Sequence, residues 1–413
     1  QDMYTIDELR QMLSGSAFDQ RLKKLYRDGP DAQKSRIFAE LDRFAATFGS
    51  DRQVLLFTAP GRSELSGNHT DHQHGRVLAA AVTLDVLAVV SPRSDTAIQI
   101  HSLGFSPCVL DIDNLERQDG EAGTSNSLVR GIAADLSGHG WQVGGFDACT
   151  VSSVPAGSGL SSSAAFETLV GTIFSHLYNQ GRIDPLQIAR TGQFAENIYF
   201  GKPCGLMDQT ASATGDVVAI DFADPARPLV QTIACDFESM GFALFVVNAG
   251  GSHADLTDEY AAIPAEMKQV AACFGQSVLR EVSPESFYAG LPALRSKVSD
   301  RAILRAMHFF EENERVDRQT RALIDRNMDE YLRLMQASGD SSALLLQNIY
   351  PSDNVKDRSV LLALAICRQL LAGQGAWRVH GGGFAGTVQA LVPIGQEDRF
   401  TRAVEAVFGE GSC

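Results

Sequence analysis

Val154-Pro155-Ala156-Gly157-Ser158-Gly159-Leu160-Ser161-Ser162-Ser163-Ala164-Ala165 joins a glycine turn to three consecutive serines and a helix-forming run. A strand-like stretch at 147–153 precedes it and 164–177 follows with apolar residues at helical spacing. Residues 160–163 are therefore expected to form the first turn of a helix. First-turn N–H groups have no intrahelical acceptor and the helix dipole adds positive potential there, so such a turn attracts phosphate oxygens. Gly157 and Gly159 let the backbone approach an anion without a Cβ in the way, while serine hydroxyls can donate to oxygen or ligate magnesium. An ordinary serine cap after a glycine turn would use the same residue types, and three serines in a row weaken that alternative.

Neither common phosphate fingerprint fits. The P-loop requires a Lys that this segment lacks, and the dinucleotide motif requires a third glycine where Ser162 stands. A second run, Gly381-Gly382-Gly383-Phe384-Ala385-Gly386, matches the dinucleotide spacing by letter, but the strand-like 387–393 follows it instead of a helix. A glycine-rich hairpin between 376–380 and 387–392 fits better, with its backbone passing close to something bound.

A third stretch, 59–75, places Arg62, Glu64, His69, Asp71, His72 and His74 between strand-like 54–58 and apolar 77–90. Imidazoles and a carboxylate at short spacing are what zinc hydrolases use. The usual dinuclear pattern would need a His at Gly67 and further ligand clusters among His101, His139, His176, His253, His308 and His380, and no such cluster is visible.

Taken together, these stretches resemble the GHMP small-molecule kinases, and among them the galactokinase family. That family's signature is close to GRxNLIGEHTDYxxGxVLP, followed by PxGxGLSSSA and GGGFGG; here the corresponding segments are 61–79, 155–164 and 381–386. Pro203-Cys204-Gly205-Leu206-Met207-Asp208-Gln209 is similar to the family's CGxMDQ, and 248–260 more loosely to its N-x-x-x-x-H-x-x-x-x-E-Y segment. Four motifs in family order are far more specific than any one.

The resemblance implies an α+β fold of two domains, 1–225 mixed α/β and 226–413 ferredoxin-like, with ATP and sugar meeting in the cleft. It implies ATP-dependent phosphorylation of the anomeric hydroxyl of galactose. Asp208 corresponds to the proposed catalytic base and Arg62 to the group that keeps that carboxylate ionised and stabilises phosphoryl charge. Ser163 and Glu196 correspond to magnesium ligands; Mg²⁺ keeps waters and binds ATP phosphates, so one hydroxyl and one carboxylate suffice. Gly157, Gly159, Leu160, Ser161, Ser162 and Gly382 fall in the nucleotide-binding glycine segments. Asn68, His69, Asp71, Gly205 and Tyr260 match sugar contacts.

The departures cluster in the signature. Asn68 replaces a Glu that accepts from the sugar's C6 hydroxyl, which leaves open either a retained bond through the Asn carbonyl or tolerance of the C6 carboxylate of galacturonate. Ser63, Glu64 and Ser66 replace Val, Asn and Ile, and His72 replaces Tyr. A galacturonate kinase is thus an alternative, and a catalytically silent sugar and ATP sensor is a third reading. The intact serines with Arg62 and Asp208 argue against a sensor.

The chain's 413 residues are 44% hydrophobic, enough for a substantial core, and its formal charge of −15 excludes nucleic acid and anionic membrane as expected partners. Seven scattered cysteines without a CxxC suggest reduced thiols in the cytoplasm; Cys204 reads as a packed thiol before a nucleophile. The first residues show neither a cationic n-region nor an apolar h-region, and a monomer is expected. Periodicity predicts helices within 4–48, near 124–137, 160–178, 184–199, 258–273, 300–336 and 357–371, strands near 54–58, 77–91, 95–101, 144–153, 217–221 and 243–248, and a linker at 221–228. His308 is expected to be a packed or capped histidine.

Overall fold

The computed structural model describes residues 3–26, 29–155, 159–250, 256–352, 356, 358–384 and 386–413. In chain order the elements are β1 (Tyr4–Thr5), α1 (Ile6–Leu13), α2 (Ser16–Leu25), α3 (Gly29–Phe48), β2 (Gln53–Ser66), β3 (Arg76–Pro92), β4 (Ala97–Ser102), β5 (Cys108–Asp111), α4 (Ser125–Gly138), β6 (Phe146–Ser152), α5 (Ser162–Asn179), α6 (Pro185–Phe194) and α7 (Met207–Thr214). There follow β7 (Val217–Asp221), β8 (Leu229–Ile233), β9 (Phe242–Asn248), α8 (Thr257–Ala272), α9 (Pro284–Leu294), α10 (Asp300–Ile324), α11 (Met328–Ser341), α12 (Ser359–Leu371), β10 (Ala376–Val379), β11 (Thr387–Pro393) and α13 (Glu397–Phe408).

Two compact units form, Gln1–Arg62 with Ala81–Ala156 and Leu160–Gly215, and Ser63–Ala80 with Gly157–Gly159 and Asp216–Cys413. This is not the single cut at 225 expected from the sequence. The long strands β2 and β3 cross the division, so the signature between them belongs with the C-terminal half. Residues 221–228 are not a linker either: they join the antiparallel pair β7 and β8 inside the second unit.

The first unit orders its strands β1-β2-β3-β6-β4-β5, with β3 antiparallel and β4 parallel to β6. Successive residues of a strand point to opposite faces. Leu55, Phe57, Ala59, Val86, Ala88, Val90, Phe146 and Ala148 therefore pack with α4 and α5, while Val54, Leu87, Val89 and Cys149 pack with α1 and α3. Both faces are covered, which is why 77–90 reads as an almost unbroken apolar run. One charge enters this layer. Asp85 is buried and is held by Arg36 Nη1 at 2.6 Å, Tyr26 Oη at 2.5 Å and the Thr58 hydroxyl, so its desolvation is offset by a full set of donors.

In the second unit β10, β11 and β9 make an antiparallel sheet. Val247, Val379, Val388, Ala390 and Val392 pack with α12 and α13, and a separate cluster gathers α8, α9 and α10. The expected helix over 300–336 is interrupted after Ile324, where Arg326 takes a left-handed φ of 54° and the Asn327 side chain caps α11 at the Glu330 N–H. Among the described residues no helix is long and apolar enough to cross a membrane.

Candidate functional site

Within the first unit, strand β2 runs past the expected 54–58 to Ser66 and carries Arg62 near its end. Its path there is set by the segment before α5: Arg62 N–H donates to the Leu160 carbonyl at 3.0 Å, and a Cβ on Gly61 would lie 2.8 Å from the same oxygen. Only glycine permits that approach. Arg62, 7% exposed, donates through Nε and Nη2 to the two Asp208 oxygens at 2.8 and 2.7 Å. Asp208 lies in the first turn of α7, where the helix dipole favours a carboxylate.

The helix after the glycine turn starts later than expected. Leu160 is buried and Ser161 has φ 57°, ψ 62°, so α5 begins at Ser162 instead of including 160–161 in its first turn. A left-handed non-glycine residue costs roughly 1–2 kcal/mol. What it accomplishes is visible: the Ser161 hydroxyl is a hydrogen-bond donor to Asp208 and makes no cap to the helix. Ser161 thereby gives the opening N–H groups of α5 no side-chain cap, an arrangement that suits an anion. Burial alone would raise the Asp208 carboxyl, but the Arg62 charge and hydrogen bonds, the Ser161 hydroxyl and the Lys202 charge outweigh it and hold the pKa below the usual carboxylate value. Gly157 lies outside the described residues.

Glu196 occupies a π-helical turn, Ala195–Phe200, following α6, and is buried. Its oxygens accept from Gln209 Nε2 at 3.0 Å and Lys202 Nζ at 3.3 Å. Gln209 also donates at 3.0 Å to Glu167, which is fully buried and whose Oε1 has no hydrogen-bond partner among the described residues. Burial and the Glu196 charge push the Glu167 carboxyl up to about 8. Ser163 is half-buried in the first turn of α5. The Ser163 hydroxyl and Glu196 carboxylate are hard oxygen donors of the kind Mg²⁺ takes, and Glu196 already attracts a cationic side chain, so these residues fit that ion. Glu167 was not identified from the sequence. Its position four residues after Ser163, on the same helix face, was the available signal. Gly205 is exposed just ahead of α7. Cys204 has its thiol raised by burial and by Glu196, which makes it a poor nucleophile.

Within the second unit, β2 and β3 are joined by a tight loop. Thr70 closes it, with its N–H to Gly67 O at 3.0 Å and its hydroxyl to Arg76 O at 2.6 Å. Gly67 has φ 91°, and a Cβ there would sit 2.5 Å from Arg76 O. The loop faces the glycine turn between β10 and β11, a hairpin as expected. Three consecutive carbonyls of that turn accept from three of the expected sugar residues: Gly381 from Asn68 Nδ2 at 2.7 Å, Gly382 from His69 Nε2 at 2.9 Å and Gly383 from Tyr260 Oη at 3.0 Å. Gly382 packs so closely that a Cβ would lie 2.5 Å from the Tyr260 ring.

A carbonyl only accepts, so His69 carries its proton on Nε2 and leaves Nδ1 as an acceptor. Desolvation lowers its pKa to about 4, which keeps the ring neutral near pH 7. Asp71 opens the short turn after Thr70, and its Oδ1 accepts the His72 N–H at 2.9 Å. Asn68 has no exposed surface, and its Oδ1 accepts from Asn348 Nδ2 at 2.7 Å and Ser342 Oγ at 3.4 Å. That carbonyl is engaged by the protein. The other departures also find partners, Ser63 at Gln389 and Ser66 at the buried Glu312. His308 is packed as expected, between Ser341 and the Asn68 carbonyl. Among the described residues no group of three or more His, Cys, Asp or Glu side chains could hold a metal ion. Residues 251–255, with His253, lie outside the described residues. Gly159 has φ 74°, and a Cβ there would meet His380 and Thr387 at 3.3 Å.

Comparison with known proteins gives a consistent result. Residues 42–92 match the galactokinase galactose-binding signature, and 127–216 match the GHMP kinases N terminal domain. A galactokinase of Streptomyces coelicolor is 31% identical over 369 residues, 89% of this chain and 92% of the relative. One from Lactococcus lactis subsp. lactis is 28% identical over 375 residues, 89% of this chain and 90% of the relative. The crystal structure of Lactococcus lactis galactokinase complexed with galactose superposes with a TM-score of 0.74 at 27% identity, covering 89% of this chain and 93% of that one. Methanococcus jannaschii mevalonate kinase shares the fold, with a TM-score of 0.61 at 16% identity over 85% of this chain and 95% of its own.

Proposed function

The chain belongs to the galactokinase family, and from that we propose that it transfers the γ-phosphoryl group of ATP to the anomeric hydroxyl of galactose. The observation that carries the mechanism is the Arg62–Asp208–Ser161 cluster at the N-terminus of α5, which Ser161 does not cap. Phosphoryl transfer asks a protein mainly for positioning and charge stabilisation. The α5 amides and Arg62 supply positive potential for phosphate oxygens in a chain whose net charge is −15. Asp208 accepts the hydrogen bond of the anomeric hydroxyl and takes its proton as the new P–O bond forms. A carboxyl held below its ordinary pKa is a weak base towards a sugar hydroxyl, so proton transfer comes late and orientation is its larger contribution.

Ser163 and Glu196 are the residues that would hold Mg²⁺, which when bound neutralises charge on the ATP phosphates. His69 offers Nδ1, and Asp71 its second carboxylate oxygen, to sugar hydroxyls. Gly159, Leu160, Ser161, Ser162 and Gly382 belong to the nucleotide side in this reading, while Gly205 and Tyr260 belong with the sugar. The seven free cysteines support a reducing compartment, the cytoplasm.

The test is ADP release from purified protein with Mg·ATP and galactose, galacturonate, N-acetylgalactosamine, glucose or arabinose, with the phosphorylated carbon read by phosphorus NMR. Galactose 1-phosphate is the expected product. Turnover of another sugar with silence on galactose would transfer the assignment to that sugar, and binding without any turnover would favour a sensor.

A further inference from the structure

Where the signature has Asn and then, four residues on, Glu, this chain has Glu64 and Asn68: a carboxylate and an amide have changed places. The two side chains touch, Asn68 Nδ2 donating to Glu64 Oε1 at 2.9 Å. We infer that Glu64 and Asn68 work as one exchanged pair whose amide clamps the glycine turn to the sugar signature, so that Asn68 is a positioning residue and not a sugar contact. This rests on the galactose reading above.

An amide has two N–H donors and two acceptor lone pairs. Asn68 uses all four inside the protein: Nδ2 on Glu64 and on the Gly381 carbonyl at 2.7 Å, Oδ1 under Asn348 at 2.7 Å and Ser342 at 3.4 Å. A sugar hydroxyl reaching this side chain would have to displace a buried partner, leaving that partner unsatisfied. With Glu64 in place, an amide at 68 is required. A carboxylate at 68 could donate neither to Gly381 nor to Glu64, and with Glu64 retained would set two carboxylates about 3 Å apart, an arrangement that resists double ionisation.

The charge has moved and has not been removed. Glu64, 6% exposed, lies 3.5 Å from the guanidinium of Arg378, a fully buried side chain that also donates to Leu65 O at 2.7 Å. Because the pair keeps one carboxylate, the signature gains no room for a second on the sugar. The exchange of Glu for Asn at 68 is therefore no adaptation to galacturonate.

The experiment is a double-mutant cycle of Glu64→Gln, Asn68→Asp and the double variant, with Asn68→Ala beside it, read by unfolding temperature and by KM for galactose and for ATP. Wild-type turnover of galactose is measured first; its absence sinks the galactose reading, while the unfolding temperatures still judge the pair. Asn68→Asp is expected to raise the galactose KM by roughly tenfold or more with little change for ATP, and Glu64→Gln in the same chain to recover a large part of the loss. Additive losses in the double variant would overturn the pair. Asn68→Ala distinguishes positioning from contact: it should weaken galactose and 6-deoxygalactose by the same factor. A penalty that vanishes for the 6-deoxy sugar would show that Asn68 binds the C6 hydroxyl directly, and the inference would be wrong.

Discussion

Arg62 meets Asp208 edge on, with two parallel hydrogen bonds of 2.8 and 2.7 Å between one guanidinium and both oxygens of one carboxylate. Such a fork fixes orientation as well as charge. Asp208→Asn keeps the shape and loses the proton acceptor. Turnover should fall by roughly 10²–10⁴-fold with galactose binding retained, as followed by ADP release and calorimetry. Near wild-type turnover would remove Asp208 from the chemistry.

Arg62→Lys tests the fork itself. Lysine keeps the charge but cannot make two parallel bonds. The expected result is a kcat loss larger than any change in galactose KM, because the carboxylate stays ionised while its aim is lost. Unchanged kcat would mean that charge alone suffices.

Glu167 predicts a pH dependence of stability. Its folded-state pKa of about 8 exceeds the ordinary 4.5, so the folded protein holds a proton that the unfolded chain releases between those values. Stability from this group is complete below about 4.5, is lost as pH rises, and levels off above about 8. Glu167→Gln mimics the protonated form. Its unfolding temperature should gain on wild type progressively from pH 5 to roughly pH 8. A constant difference across that range would mean that Glu167 is ionised in the folded state.

At Gly382 a side chain would collide with the Tyr260 ring, whose hydroxyl donates to the Gly383 carbonyl. At Gly383 it would meet the Asn348 carbonyl at 2.1 Å with φ 80°. Gly382→Val should therefore weaken substrate binding in a folded protein, whereas Gly383→Val should unfold it. Circular dichroism and equilibrium binding separate the two outcomes, and equal effects would count against this division.

His69 should leave no trace in the pH profile near its ordinary pKa of about 6.5. With its pKa lowered to about 4, galactose KM should stay flat from neutrality to about pH 5. An inflection near 6.5 would show a charged imidazole in the site.

Local pattern was enough for much of this molecule. The apolar runs of β2, β3 and β6, the helical spacing after Ala164 and the glycine hairpin before Thr387 were legible as local sequence pattern. Arg62, His69, Asp71 and Asp208 were singled out by the resemblance to the galactokinase motifs and not by local pattern. Where the reading missed, the cause was distant. The extension of β2 through Pro60 and Gly61 depends on the Leu160 carbonyl about a hundred residues away. The late start of α5 depends on Asp208 drawing the Ser161 hydroxyl.

The sequence by itself determined the family-specific chemistry: which residue types stand in which order, and that a carboxylate and an amide had traded places at 64 and 68. Tertiary structure alone decided what those groups touch. Glu167 became a proton-holding acid only when folding placed it with Glu196 around Gln209, and Asn68 became a strut only when Gly381 and Asn348 arrived from the far end of the chain. Hydrogen bonds saturate and charges are desolvated in three dimensions, so the role of a polar side chain is settled by partners whose sequence separation carries no information about their distance.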